Sequence, residues 1–424
     1  MITPAHQRSV VRDLLTVMSG TAGAQALGLL ILPVLARAFA PEAFGVFQLY
    51  LSLLVFCTVG IALRIELTLV SSSEEDLPHL IASLAILVIV VGIAVSGFLM
   101  LLTGLGFGPE IPIWLFGLGL IGNGFMLIAS YMLIREQDFN RLAFLKFGQV
   151  GIYAVVALAM AAINPSIIGI ILADVAGRIA AAAYGIITLR SKAAMGDTAA
   201  TIRGLIPFVR RHRDLVTVSL PGALANSAGA MLTPFMIFHV FGAAAAGQFS
   251  LVDRAIGVPV AMIVGAGSQV FLGRITVHLR AQDYHAALAI LLRIVIMSAV
   301  VAGAGAVILQ LFLPYSFHLI FGPGWEPAIL IAGVMIFGYA AAFVTGIVNQ
   351  TLVAMREFRL QSIWDVGWSV AMGGAWIAVV AFGLDLYTAV AMHASIVAIL
   401  GFVFVFMCIA KLRSATTLAE RSGT

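Results

Sequence analysis

Polar and turn-forming residues punctuate this chain at short intervals, and the stretches between them are apolar for about twenty residues or more. The segment 39–76 shows the pattern in full. A polar break (Pro41, Glu42, Gly45) leads into a long apolar run, which ends at Glu74, Glu75 and Asp76. Roughly 20 apolar residues cross a bilayer as helix, because a helix satisfies its own backbone groups where water cannot. The pattern predicts twelve such spans. Six lie in the first half, at 14–36, 44–70, 79–103, 112–134, 144–163 and 167–189. Six follow in the second, at 215–241, 245–271, 287–313, 328–354, 360–382 and 387–410.

Composition points the same way. Of the 424 residues, 62% are hydrophobic and 10% charged, where a soluble chain would be about one-quarter charged. The net charge of +4 would suggest nucleic acid in a soluble protein; here it records basic loops, and no nucleic-acid partner is expected. Of the 23 Lys and Arg, 19 gather at the N-terminus, the C-terminus or around the even-numbered connections. The positive-inside rule then puts both termini in the cytoplasm. Arg37 alone lies in an odd-numbered connection, and Arg64, Arg178 and Arg254 lie within spans. The inner connection 71–78 breaks the pattern, with three acids and no base. Cys57 and Cys408 sit in apolar runs and read as packing residues. The first apolar run is long enough to stay as an anchor, so no cleavable signal peptide is expected.

The chain also repeats itself. Arg12-Asp13-Leu14-Leu15-Thr16-Val17 returns 201 residues later as Arg213-Asp214-Leu215-Val216-Thr217-Val218. At the same offset Gln25 meets Asn226 and Pro33 meets Pro234; one residue further, Gly45 and Phe47 meet Gly247 and Phe249. Each half has an even number of spans, so both enter the membrane in the same sense. The expectation is an all-α polytopic membrane protein of two six-helix lobes, related by a pseudo-two-fold along the membrane normal, with a substrate site between them. The lobes are 1–189 and 214–413, joined by a basic cytoplasmic linker, 190–213, and followed by a cytoplasmic tail, 414–424. The linker carries six basic residues beside Ile202, Leu205, Ile206, Phe208 and Val209. A loop obeying the charge rule is the favoured reading over a specific lipid site.

Ionisable groups inside hydrocarbon are costly and raise a functional question by default. Arg64 and Glu66 are two residues apart in the second span, a turn of about 200° along a helix. On a continuous helix they would point to opposite sides, and each would need a partner elsewhere or water. Asp174 precedes Arg178 by four residues, the spacing for a helical ion pair, and Asp253 adjoins Arg254. Gln25, Asn226, Asn349 and Gln350 are amides suited to inter-helix hydrogen bonds. Pro33, Pro221, Pro234 and Pro259 predict kinks. His239 and His393 have no metal-ligand spacing, so no metal or other cofactor is assigned.

A series of residues, in order and through most of the chain, resembles the polysaccharide transporter family. These are the Wzx-like O-antigen and lipopolysaccharide biosynthesis flippases of the multidrug/oligosaccharidyl-lipid/polysaccharide exporter superfamily. The series is Pro33, Pro41-Glu42-Ala43-Phe44-Gly45-Val46-Phe47, Arg64-Ile65-Glu66-Leu67 with acidic Glu74-Glu75-Asp76, and Gly169 with Asp174 to Arg178. It continues with Gly247-Gln248-Phe249-Ser250-Leu251, Arg254, Pro259 and Phe321-Gly322-Pro323-Gly324-Trp325. Ile65 stands where the family usually has an aromatic, and Thr68 where it has alanine.

The resemblance implies a transporter that flips a polyprenyl-diphosphate-linked oligosaccharide to the outer leaflet of the bacterial inner membrane by alternating access. Arginine suits that cargo, because it stays charged and pairs bidentately with phosphate oxygens. Arg254 and Arg64 are candidates for cargo contact, against the plainer reading of internal pairs. Arg178 is a weaker candidate for cargo contact, read first as structural, and Gln25 and Asn226 carry sugar contact as the minority option. Glu66, Asp174 and Asp253 would suit proton or sodium coupling. Expected partners are the lipid-linked substrate, membrane lipids and glycan polymerase or other assembly proteins. An ion-coupled drug or metabolite exporter of the same superfamily is the alternative. A membrane enzyme is disfavoured, since the longest outer connection, 314–327, holds only Glu326 as an ionisable acid and no Lys or Arg.

Overall fold

The computed structural model describes the backbone of residues 4–106, 111–189, 201 and 204–422, and side chains there apart from 4–19, 21 and 418–422. The expected linker therefore lies largely outside the described residues, as do the side chains of Arg12 and Asp13 that open the repeat. Among the described residues every regular element is helical. Ten helices are long and apolar enough to cross a membrane. One of the ten, Leu215–Arg280, has 66 residues, about 99 Å if straight and some three times a bilayer core. It breaks at Gly242, whose φ of 89° and ψ of 174° are not helical. A shorter apolar helix, Ala22–Ala38, precedes them. The chain is a multi-pass all-α membrane protein.

Two compact units divide the chain, Met1–Phe238 and His239–Thr424. The first contains α1 (Pro4–Ala38), α2 (Pro41–Gly60), a 3-10 segment (Ile65–Val70), α3 (Leu77–Gly104), α4 (Ile113–Arg135), α5 (Phe139–Ile163), α6 (Ile167–Leu189) and α7 (Leu205–Arg211). Helix α1 packs on α5, α5 on α6, and α6 on α4. Its core is aromatic where α2 enters: Phe44, Phe47 and Tyr50 are buried. Tyr50 meets Phe116 of α4 edge-on at 6.1 Å, and Phe47 stacks on Tyr153 of α5.

Helix α8 (Leu220–Val252) runs from the first unit into the second. The second unit continues with α9 (Val258–Arg280), α10 (Tyr284–Phe321), α11 (Glu326–Val348), α12 (Thr351–Ala354), α13 (Phe358–Phe382) and α14 (Leu386–Ser422). Helix α11 packs on α14 and α10, around a core of Phe271, Leu291, Val348, Phe404 and Cys408. Asp385 caps α14 with hydrogen bonds from the Thr388 hydroxyl, the Thr388 amide and the Tyr387 amide. These bonds favour the carboxylate and hold its pKa below the ordinary value.

Two expectations need correction. The second span is not one helix from 44 to 70. It ends at Gly60 and restarts as a 3-10 segment at Ile65. The outer connection 314–327 is mostly helix: α10 continues through Pro314 to Phe321, 38 residues in all, and only a short turn before Glu326 is loop. The predicted proline kinks take a specific form at two sites. Pro221 and Pro259 each follow a π-turn, Leu215–Ser219 and Asp253–Gly257, in which the Leu220 and Val258 amides reach back five residues. A proline ring clashes with the carbonyl four residues earlier, and the wider π-turn moves that carbonyl aside.

Candidate functional site

Each unit holds a polar cluster around one acid, buried in the first and partly buried in the second. In the first, Asp174 and Arg178 of α6 form an ion pair at 2.6 Å, with a second hydrogen bond at 3.1 Å. Tyr50 of α2 donates to Asp174 at 2.9 Å. The remaining side of the guanidinium donates to Asn123 Oδ1 of α4 at 2.6 Å, and Asn123 Nδ2 donates in turn to Thr58 of α2 at 2.9 Å. Three helices are thus tied by one network. Removing either charge would strand the other away from water, which is why the network is complete.

In the second unit Asp253 accepts from Tyr339 of α11 at 2.9 Å, and Arg254 Nε donates to Ser250 one turn back at 3.2 Å. The π-turn that starts at Asp253 sets both side chains. In this unit Gln248 also donates to the Gly324 carbonyl at 3.0 Å, while its Oε1 is buried without a partner. The pairing of a carboxylate with a tyrosine recurs in both clusters.

The third feature is the break after Gly60. Leu63 and Arg64 both have left-handed backbones, with φ of 53° and 66°. For residues with a side chain this costs roughly 1–2 kcal/mol each. Short-range bonds keep the backbone satisfied: the Leu63, Ile65 and Leu67 amides donate to the Gly60, Ala62 and Arg64 carbonyls. Glu66 is 2% exposed. Its Oε2 and the Arg64 Nε are buried without a hydrogen-bond partner among the described residues. Tyr131 of α4 lies within electrostatic reach of both charges, and Arg64 within reach of Glu66. The expected opposition of Arg64 and Glu66 assumed a helix between them, and there is none.

The sequence placed Asp174, Arg178, Asp253, Arg254, Arg64 and Glu66 inside spans, and the structure puts each in or beside a polar cluster. Gln25 and Asn226 stand exposed on α1 and α8. Sequence reasoning missed Tyr50, Thr58, Asn123, Tyr131 and Tyr339. Asn123 and Thr58 are isolated polar residues in apolar runs, which was signal enough to flag them. The tyrosines carried no such signal. Among the described residues no three His, Cys, Asp or Glu side chains converge as a metal site.

Residues 34–330 match the model of a family described as polysaccharide biosynthesis protein. The matched segment covers well over half of the chain and contains the break, the first cluster, and Asp253 and Arg254 of the second. The chain belongs to the polysaccharide biosynthesis protein family. No curated protein matches its sequence. Several solved structures share the fold of this family member. The lipid II flippase MurJ, in an inward closed conformation, is 13% identical with a TM-score of 0.71, covering 94% of this chain and 90% of that one. The inward-facing conformation of a multidrug resistance MATE family transporter of the MOP superfamily is 14% identical with a TM-score of 0.64, covering 93% and 96%. A MOP superfamily transporter from Pyrococcus furiosus is 15% identical with a TM-score of 0.52, covering 95% and 96%. At these identities the likeness is one of fold.

Proposed function

We propose that this polysaccharide biosynthesis family member is a flippase that carries a polyprenyl-diphosphate-linked oligosaccharide across the bacterial inner membrane by alternating access. Its twelve spans form two six-helix lobes, 1–189 and 214–413, linked by 190–213, with both termini and the tail 414–424 cytoplasmic. The observation that carries the reading is Arg64. It is a fixed positive charge within a family-matched membrane segment, held in a strained backbone, with a guanidinium Nε that has no hydrogen-bond partner among the described residues. A fixed charge with an unspent donor on a strained backbone suits a site for an anionic headgroup. Arg254 is a second candidate for the diphosphate, with Gln25 and Asn226 for sugar hydroxyls. Arg178, already paired, serves architecture. Glu66, Asp174 and Asp253 are the candidates for proton or sodium coupling, and no cofactor takes part. The tyrosine–carboxylate pairs at Asp174 and Asp253 favour a second reading, an ion-coupled exporter of drugs or metabolites.

The test is flipping of a fluorescent polyprenyl-diphosphate sugar by protein in liposomes, normalised to incorporated protein. Arg64→Ala should slow flipping about ten- to hundredfold, the value of a charge-assisted hydrogen bond. Arg64→Lys should retain part, since it keeps charge but loses the planar fork. Full flipping by the Arg64→Ala protein would overturn the assignment. Movement of a lipophilic cation with none of the lipid-linked sugar would favour the exporter.

A further inference from the structure

Helix α4 runs beside the whole of the broken second span, and three of its side chains touch that span's surroundings in sequence. Asn123, Tyr131 and Arg135 are spaced by eight and then four residues, which places them along one face. Asn123 holds Thr58, two residues before α2 ends, and ties it to Arg178. Tyr131 lies within electrostatic reach of Arg64 and Glu66. Arg135, the last residue of α4, donates Nη1 to the Leu69 carbonyl at 2.8 Å and Nη2 to Glu74 Oε1 at 2.8 Å. Leu69 is near the end of the 3-10 segment that starts beside Arg64, and Glu74 lies in the turn beyond it. Both bonds use one planar fork, a geometry that arginine supplies and lysine does not. The Arg135 side chain is 14% exposed while that of Glu74 is 83% exposed, so the carbonyl contact is the sheltered half of the clamp and the ion pair its solvent-facing half.

We infer that Arg135 is a positioning residue that clamps the 3-10 segment and thereby holds Arg64 and Glu66 where the left-handed break presents them. The role given to those two residues rests on the flippase reading; the clamp itself does not. A backbone with two consecutive left-handed side-chain-bearing residues has a ready alternative in continued α-helix. Continuing the helix from Gly60 would move Leu69 and turn Glu66 away from its present place. Arg135 makes that rearrangement break two charge-assisted bonds at once. It also accounts for one of the three acids in a connection that the charge rule would have made basic. One of them, Glu74, completes the clamp, and its charge is matched by an arginine 61 residues away.

The test needs no substrate. In protein with Cys57 and Cys408 replaced by alanine, Leu67→Cys reports on the 3-10 segment and Ala157→Cys, on α5, on the unit as a whole. Thiol alkylation rates are read in liposomes. Arg135→Gln should raise the rate at position 67 about tenfold and leave position 157 unchanged. Arg135→Lys should fall between, and Glu74→Gln should raise the rate less than Arg135→Gln, because the Leu69 contact survives. An unchanged rate at position 67 in Arg135→Gln, or an equal rise at both positions, would overturn the clamp. If position 67 opens as expected while neither Arg135→Gln nor Arg64→Ala alters flipping, the clamp stands and the transport role of the segment falls.

Discussion

At the scale of single residues, the Asp174–Arg178 pair shows how a membrane interior sorts its charges. The side chains are 9% and 11% exposed, and their value lies in mutual compensation rather than in net stabilisation. Arg178→Ala should therefore destabilise the first unit by about 3–5 kcal/mol, by leaving Asp174 buried and unmatched. Arg178→Ala combined with Asp174→Asn should recover a good part of the loss, since the stranded charge is gone. Denaturation in detergent micelles reads both, and simple additivity of the two changes would refute the pairing. The four-residue spacing made this pair legible in the sequence. Its other partners were not, because Tyr50 and Asn123 lie 124 and 55 residues from the residues they bond. Contacts so distant follow from packing, which periodicity does not encode.

At the scale of elements, close approach decides which side chains can meet. A methyl group built on Gly119 of α4 would fall 2.5 Å from the Tyr50 hydroxyl, with Leu54 and Val175 close behind. Gly119 is what lets Tyr50 lie against α4 and still reach Asp174. Gly119→Ala should cost about 1–3 kcal/mol by overpacking, and less in a Tyr50→Phe background, where the obstructing hydroxyl is absent. Equal cost in both backgrounds, measured by the same denaturation, would argue against the contact. The length and place of most helices were legible because the apolar runs and their polar breaks are long-period features. The break after Gly60 was not, because Ile61-Ala62-Leu63-Arg64 has neither glycine nor proline and left-handed leucine and arginine have no local signature. The extension of α10 past Pro314 was missed for the opposite reason. A proline that looks like a helix end is tolerated when neighbouring structure accommodates the lost amide bond.

At the scale of the whole molecule, the turns and the charges make one argument about orientation. Three of the connections that carry arginine share a backbone design, one that the Gly383 turn after α13 also adopts. After α4, α9 and α12 the residues Gln137, Gln282 and Arg356 are left-handed. In each case the next amide reaches back five residues, from Asp138 to Leu133, Asp283 to His278 and Glu357 to Leu352. That is the Schellman closure of a helix. The acid that follows the left-handed residue then opens the next helix, and Asp138 and Asp283 cap it directly. Arg135 and Arg141, Arg280, and Arg356 and Arg359 cluster at these turns, whereas Gly322, Pro323, Gly324 and Trp325, between α10 and α11, include no charge. Positive charge is retained on the cytoplasmic side, so the three basic turns should face the cytoplasm and the uncharged one the outside. Gln282 and Pro323 are both exposed, at the two ends of α10. In protein lacking Cys57 and Cys408, a membrane-impermeant thiol reagent should label Pro323→Cys in intact cells. It should label Gln282→Cys only after the inner membrane is permeabilised. A reversed pattern would invert the orientation and, with it, the side from which Arg64 and Arg135 meet their surroundings. Labelling of both positions in intact cells would mean that α10 does not cross the membrane, and the span assignment of the second unit would have to be redrawn.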